Sequence, residues 1–156
     1  MPSQFRTVLN QLIQADLTVA EVNGATRGFA AYSLPKLTGQ RIKLWGLIWA
    51  AVVSPADRAN ARAQLRLQRG LIITPDTTFP AAEDANQTIF TYEVDMAIQY
   101  PEPIFPPVPY TLEPGDSYAL IMTIVPLAAF ASGATLALSV MGKAEAIATS
   151  DIEMVL

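Results

Sequence analysis

The sequence predicts an all-β fold, an antiparallel two-sheet sandwich that is jelly-roll-like or a related Greek key, with a short N-terminal helix. Three observations predict it. In residues 89–100, IFTYEVDMAIQY, Phe90, Tyr92, Val94, Met96, Ile98 and Tyr100 line one face and Thr91, Glu93, Asp95, Ala97 and Gln99 the other, so one face is core and the other wet. Residues 61–70, ARAQLRLQRG, alternate the same way, with Ala63, Leu65 and Leu67 opposed to Arg62, Gln64, Arg66 and Gln68. Between the first of these runs and the strands that follow lies YPEPIFPPVPY, residues 100–110, with five prolines in eleven positions. Proline lacks the N–H that a sheet ladder needs, so this span is expected to be a stiff, extended crossover outside the sheet interior, carrying the chain from one sheet to the other.

The elements follow in order. In FRTVLNQLI, residues 5–13, Phe5, Val8, Leu9, Leu12 and Ile13 recur at helical spacing behind Ser3, a good N-cap. This predicts a short helix within residues 1–14, covering one end of the core or docking as an arm on a neighbour, with a strand as the alternative that Thr7 and Val8 leave open. Strands are expected over 17–22 and 28–34, with Asn23-Gly24 as a turn between them. QRIKLWGLIWAAVV, residues 40–53, reads as a central strand buried on both faces, with Trp45 and Trp49 on the same side. SPADRAN, residues 54–60, is a loop, and the strand of residues 61–70 ends near Gly70, with a continuation over 71–74 beyond a bulge. PDTTFPAAEDANQ, residues 75–87, is an acidic loop, and Leu112-Glu113-Pro114-Gly115-Asp116 is placed for a type II turn.

From Ser117 to Gly142 there is no charge. That length would cross a membrane as a helix. Pro126, the Ser132-Gly133 pair and the β-branched residues instead predict two strands, 117–125 and 134–142, and no membrane span. DIEMVL is expected as a final edge strand. A single domain, residues 1–156, accommodates all of this. The opening MPSQFRTVLN lacks a cationic stretch followed by an apolar one, so no secretory signal is expected.

Composition removes many chemistries. The chain has no cysteine and no histidine. Disulfides, thiolate nucleophiles, imidazole bases and Cys/His zinc sites are excluded. Phosphate-loop, dinucleotide, zincin and hydrolase-elbow motifs are absent, and no cofactor is expected. Glu93 and Asp95 could form a glycosidase pair, but alternation along one strand produces the same spacing, and pairing with Arg62 or Arg66 across strands is the plainer reading. Asp76, Glu83, Asp84 and Asn86 put hard oxygens in one loop without EF-hand spacing, which reads as a solvated loop before it reads as a calcium site. Pro103-x-x-Pro106 lacks a flanking base and is not read as a ligand motif. Trp45, Trp49, Tyr92 and Tyr100 could form a sugar platform, although apolar strands more often bury such rings.

Charge is divided along the chain. Residues 1–69 hold nine Lys/Arg and three acids, whereas residues 70–156 hold one Lys and eleven acids. Neighbouring strands from the two halves, or a head-to-tail contact between copies, would bring the opposite signs together. The bases form no arm, so nucleic acid is not an expected partner. Only 15% of residues are charged, which suits a subunit that buries surface on copies of itself or on a large partner.

RIKLWGLIWAAVVSPADRANARAQLRLQRG, together with YTLEPGDSYALIMTIV and ATLALSVMGKAEA, about half the chain, resembles small all-β virion proteins of tailed bacteriophages, of the capsid cement or decoration type. The resemblance implies a non-enzymatic homo-oligomer, often a trimer, on the capsid exterior, clamping adjacent subunits of the major capsid protein. A receptor- or carbohydrate-binding module of a fibre is the alternative. The expected interface residues are Phe5 and Leu9 near the N-terminus, Arg62, Arg66, Glu93 and Asp95 on the polar strand faces, and Tyr100, Phe105 and Tyr110 along the proline-rich span.

Overall fold

In the computed structural model, residues 7–24, 29–34, 39–70, 88–113 and 116–146 are described. They form eight strands: β1 (Thr7–Leu17), β2 (Phe29–Leu34), β3 (Gln40–Val53), β4 (Ala61–Arg69), β5 (Thr88–Asp95), β6 (Tyr110–Leu112), β7 (Tyr118–Pro126) and β8 (Ala134–Ala146). One sheet has the order β1-β8-β3-β6 and the other β2-β7-β4-β5, all antiparallel. The pairs β1·β8, β2·β7, β3·β6 and β4·β5 are nested, so the chain is one long hairpin rolled up, and β3·β8 and β4·β7 close the roll. That is a jelly roll of two Greek keys.

Burial explains each element. Along β8, Leu136, Leu138 and Val140 are buried and the residues between them face outward. β4 points Ala63, Leu65 and Leu67 into the same core. In β7, Leu120, Met122 and Ile124 fill the core, while Ala119 and Ile121 are buried on the outer face against Phe29 and Ala31. Burial on both faces is why this run carries no charge. Phe90, Tyr92 and Val94 of β5 lean on the core from the edge. Each fully buried leucine contributes about 1.5–3 kcal/mol relative to exposure.

The proline-rich span leaves β5 in one sheet and enters β6 in the other. Ile104 exchanges both backbone hydrogen bonds with Leu47 (2.8 and 2.9 Å), and the Trp49 indole N–H donates to the Glu102 carbonyl at 2.7 Å. β6 pairs only with Ile42–Leu44, so the rest of that edge of β3 lies beside a segment poor in donors. A short edge strand preceded by prolines is a known way to keep a sheet from adding strands.

Several expectations are corrected. The N-terminal helix expected within 5–13 is β1 from Thr7 onward. Its apolar spacing fits both periods, and the 11-residue pairing with β8 decides for the strand. Thr18 and Glu21 form a capping box that starts a helix, α1 (Val19–Asn23), where a strand over 17–22 was expected. A bulge between Leu44 and Gly46 reverses the alternation in β3, so Trp49 is buried while Trp45 is exposed, and the two do not share a face. β3 is not buried on both faces either, since Ile48 and Val52 are exposed. β5 stops at Asp95, whose carboxylate accepts from the Ala97 N–H at 3.0 Å and turns the chain, leaving Ile98 and Tyr100 off the apolar face. The uncharged run is two strands, and among the described residues no helix is long and apolar enough to cross a membrane. The expectations over 71–87, 114–115 and 151–156 lie outside the described residues.

Gly142 sits beside the bulge, where a Cβ would stand 2.5 Å from the Lys43 carbonyl oxygen. Backbone cannot yield there without breaking the β3·β8 ladder. Gly142→Ala should cost about 1–3 kcal/mol in urea unfolding, the range of core overpacking, whereas a cost near zero would place β3 farther from β8.

Candidate functional site

The connections β1–β2, β3–β4, β5–β6 and β7–β8 come together at one end of the sandwich. Side chains tie them to one another. The Asn23 amide bonds both ways with the backbone of Phe130, accepting from its N–H at 2.8 Å and donating to its C=O at 2.9 Å. Asp57, only 4% exposed, accepts from the N–H groups of Ala131 (2.8 Å) and Ser132 (3.0 Å) and from the Ser54 hydroxyl (2.8 Å). Arg58 donates from Nε to the Met96 carbonyl at 2.7 Å and lays its guanidinium over the Tyr100 ring, 4.1 Å from the centroid. A shallow open depression of about 340 Å³ lies beside this end, between Asp16, Val52, Ser54, Ser132 and Thr135.

The Ala131 N–H is the main cause holding the Asp57 carboxyl below its ordinary range; burial opposes it, and the Ser54 hydroxyl and Ser132 N–H assist. A carboxylate so saturated with donors is a fastener. It is poorly placed to take a proton from a substrate. Tyr92 and Tyr110 share a short hydroxyl–hydroxyl bond, and Tyr110 stacks on Phe90 at 4.7 Å. Burial, then that bond, pushes the Tyr110 phenol up to about 12. At neutral pH it is no nucleophile. Among the described residues no three acidic side chains gather to hold a metal ion.

The expected interface residues fall in different places. Phe5 lies outside the described residues, and Leu9 stands in β1 opposite Gly142. Glu93 pairs with Arg62 at 3.4 Å and accepts from Gln64 at 3.3 Å on the outer face of the second sheet. Arg66 lies on that face, buried, and donates to Gln64. Asp95 is opposite Arg62 in register but serves the turn. Tyr100 and Phe105 are exposed on the crossover, whereas Tyr110 is half-buried on the core. The structure thus brings Arg62, Arg66 and Glu93 together and leaves the aromatics apart. Of the sugar-platform rings, Trp49 is core, Tyr92 faces the core, and Trp45 and Tyr100 are exposed. The Asp76–Asn86 loop lies outside the described residues.

Sequence reasoning missed the outer face of the first sheet. Leu12, Ile48 and Val52 are exposed there, Ala50, Ala137 and Ser139 lie between them, and Phe105 lies over Gly46. The residue-by-residue alternation of β8, unbroken from Thr135 to Lys143, could have found it.

No protein-family model matches the chain, and no curated protein is similar to it in sequence. Three solved structures give weak likenesses. The VP1 pentamer of Washington University Polyomavirus has TM-score 0.37 at 8% identity, covering 94% of this chain and 95% of that one. Desmodium yellow mottle tymovirus has TM-score 0.34 at 10% identity, covering 92% of each chain. The CBM36-1 domain of a multidomain xylanase from the hindgut metagenome of Trinervitermes trinervoides has TM-score 0.31 at 10% identity, covering 89% of this chain and 98% of that one. Likenesses of this size bear on no function, and the jelly-roll assignment stands on the strand pairing.

Because folding favours the ionised form of Asp57, its contribution to stability is complete above the pKa of an unfolded aspartate, about 3.9. It is lost as pH falls through the lower folded value. Thermal unfolding from pH 7 down to pH 3 should show a steep drop in Tm for the natural chain. Asp57→Asn should start from a lower Tm at pH 7 and fall less. Parallel curves would mean that Asp57 does not fasten the loops.

Proposed function

We propose that the chain is a non-enzymatic structural subunit of a virion, of the capsid cement or decoration type. It works as a homo-oligomer, a trimer by the resemblance, on the capsid exterior against the major capsid protein. The observation that carries this reading is the outward face of the β1-β8-β3-β6 sheet, long and uncharged over its middle rows, where Leu12, Ile48, Ala50 and Ala137 stand with Gln14 and Ser139. Such a face is costly to leave in water and suits a molecule whose surface is covered in an assembly. The fastened loop end supports the same reading, since rigid loops lose little entropy when they dock.

A cement subunit stabilises a shell by linkage: it binds the assembled lattice and not the free capsid protein. Attachment at several points multiplies the effect without a new kind of contact.

The test is co-sedimentation with assembled shells of the virus that encodes the chain. Saturable pelleting at a fixed subunit ratio, with no binding to unassembled capsid protein, is the expected result. Absence of pelleting, with glycan binding that disappears in Tyr100→Ala, would instead make the chain a carbohydrate-binding module.

A further inference from the structure

The outer face of the first sheet is complementary to itself. Its rows run across β1, β8 and β3, and the central one is Leu12–Ser139–Ile48. Leu12 is 68% exposed and Ile48 38%. On one side of this row Ala137 and Ala50 stand opposite each other, leaving a shallow trough over β8 and β3 that the exposed Gln14 of β1 borders. On the other side Met141 stands opposite Gly46, and the Phe105 ring, 60% exposed, lies over that glycine. Beyond the trough is Asp16, bonded to the Thr135 hydroxyl. Beyond the ridge Lys43 and Lys143 share the carboxylate of Glu145, at 3.3 and 2.6 Å, an excess of one positive charge among those three.

Turn a copy of this face through half a turn about an axis that crosses the strands at the central row. β8 then faces β8 antiparallel. Met141 meets Ala137, Phe105 meets Ala50, and the Asp16–Thr135–Val52 row meets the row of Lys143 and Lys43, which sets Asp16 one strand over from Lys143 of the copy. Ridge enters trough, and each Asp16 comes diagonal to a lysine of the other copy, twice over. Isologous contacts require such self-complementarity. The area is adequate: the thirteen residues of β8 at about 3.3 Å rise, across the three long strands about 4.8 Å apart, give roughly 600 Å² per copy, at the low end of a stable interface. The second sheet offers no equal, because its outer face is lined by Arg62, Gln64, Glu93 and the buried Arg66.

We infer that a second copy of the chain docks face to face on the β1-β8-β3-β6 sheet, about a two-fold axis at the Leu12–Ser139–Ile48 row. A second copy is thereby the partner that the structural reading calls for, and the pairing rests on that reading. It leaves the loop end and the second sheet open for a lattice or for a three-fold contact.

The chain has no cysteine, so one introduced thiol reports on its own. Facing sheets lie about 10 Å apart, too far for a disulfide, which needs Cα atoms within about 7 Å. A short bismaleimide is the suitable probe. Leu12→Cys should convert mostly to covalent dimers at micromolar concentration, and Arg62→Cys on the other sheet should stay mostly single. In sedimentation velocity, Ile48→Glu should weaken pairing by roughly tenfold or more with an unchanged circular dichroism spectrum. Asp16→Lys should weaken it too, and adding Lys143→Glu should recover much of the loss. Cross-linking of Leu12→Cys no faster than the Arg62→Cys control would overturn the pairing. If Ile48→Glu then abolished attachment to shells, the lattice would be the occupant, and the structural reading would survive the loss of the dimer. Failure of both pairing and shell attachment would remove that reading as well.

Discussion

The structure depends on one constraint: strands from the first half of the chain pair only with strands from the second half. β1, β2, β3 and β4 find their hydrogen-bonded neighbours among β8, β7, β6 and β5. Every ladder therefore joins residues distant in sequence, and the loop-closure entropy of the roll must be met before any ladder is complete. The charge division along the sequence is the side-chain counterpart of this pairing. Arg41 meets Glu113, Lys43 meets Glu145, Arg62 meets Glu93 and Arg69 approaches Asp116, each a base from the first half on an acid from the second. Exposed pairs contribute only about 0.2–1 kcal/mol each.

The same topology divides the surface. It places four connections at one end, where Asn23, Asp57 and Arg58 lock them with side-chain-to-backbone bonds. It also puts β8 between β1 and β3, so the outward residues of three strands form one continuous face. The prolines keep the β3 edge from inviting further strands.

Strand identity was legible wherever one face is wet. The alternation of β4 and of most of β5 could be read directly, as could the crossing prolines. What misled was local chemistry that overrides period. The apolar spacing around Leu12 and Ile13 satisfies a helix and a strand alike, and only the partner strand decides. Thr18 and Glu21 carried a capping signal that lay hidden in a strand-like run. The bulge at Trp45 left no mark except the glycine beside it, and Asp95 looked like one more outward residue of an alternating strand. The interface candidates fared unevenly for the same reason. Arg62 and Glu93 follow from alternation, whereas the Leu12–Ile48 face needs the order of strands, which no single segment contains. The opposite charges of the two halves were the one trace of that order in the sequence.

The pairing can be measured directly by cross-strand nuclear Overhauser contacts between backbone Hα atoms in the isolated protein. Contacts should link β1 with β8 in the register Ile13 opposite Leu138, and β4 with β7 in the register Leu65 opposite Met122. A pattern of consecutive hairpins, β1 with β2 and β3 with β4, would contradict the nested roll and everything built on it.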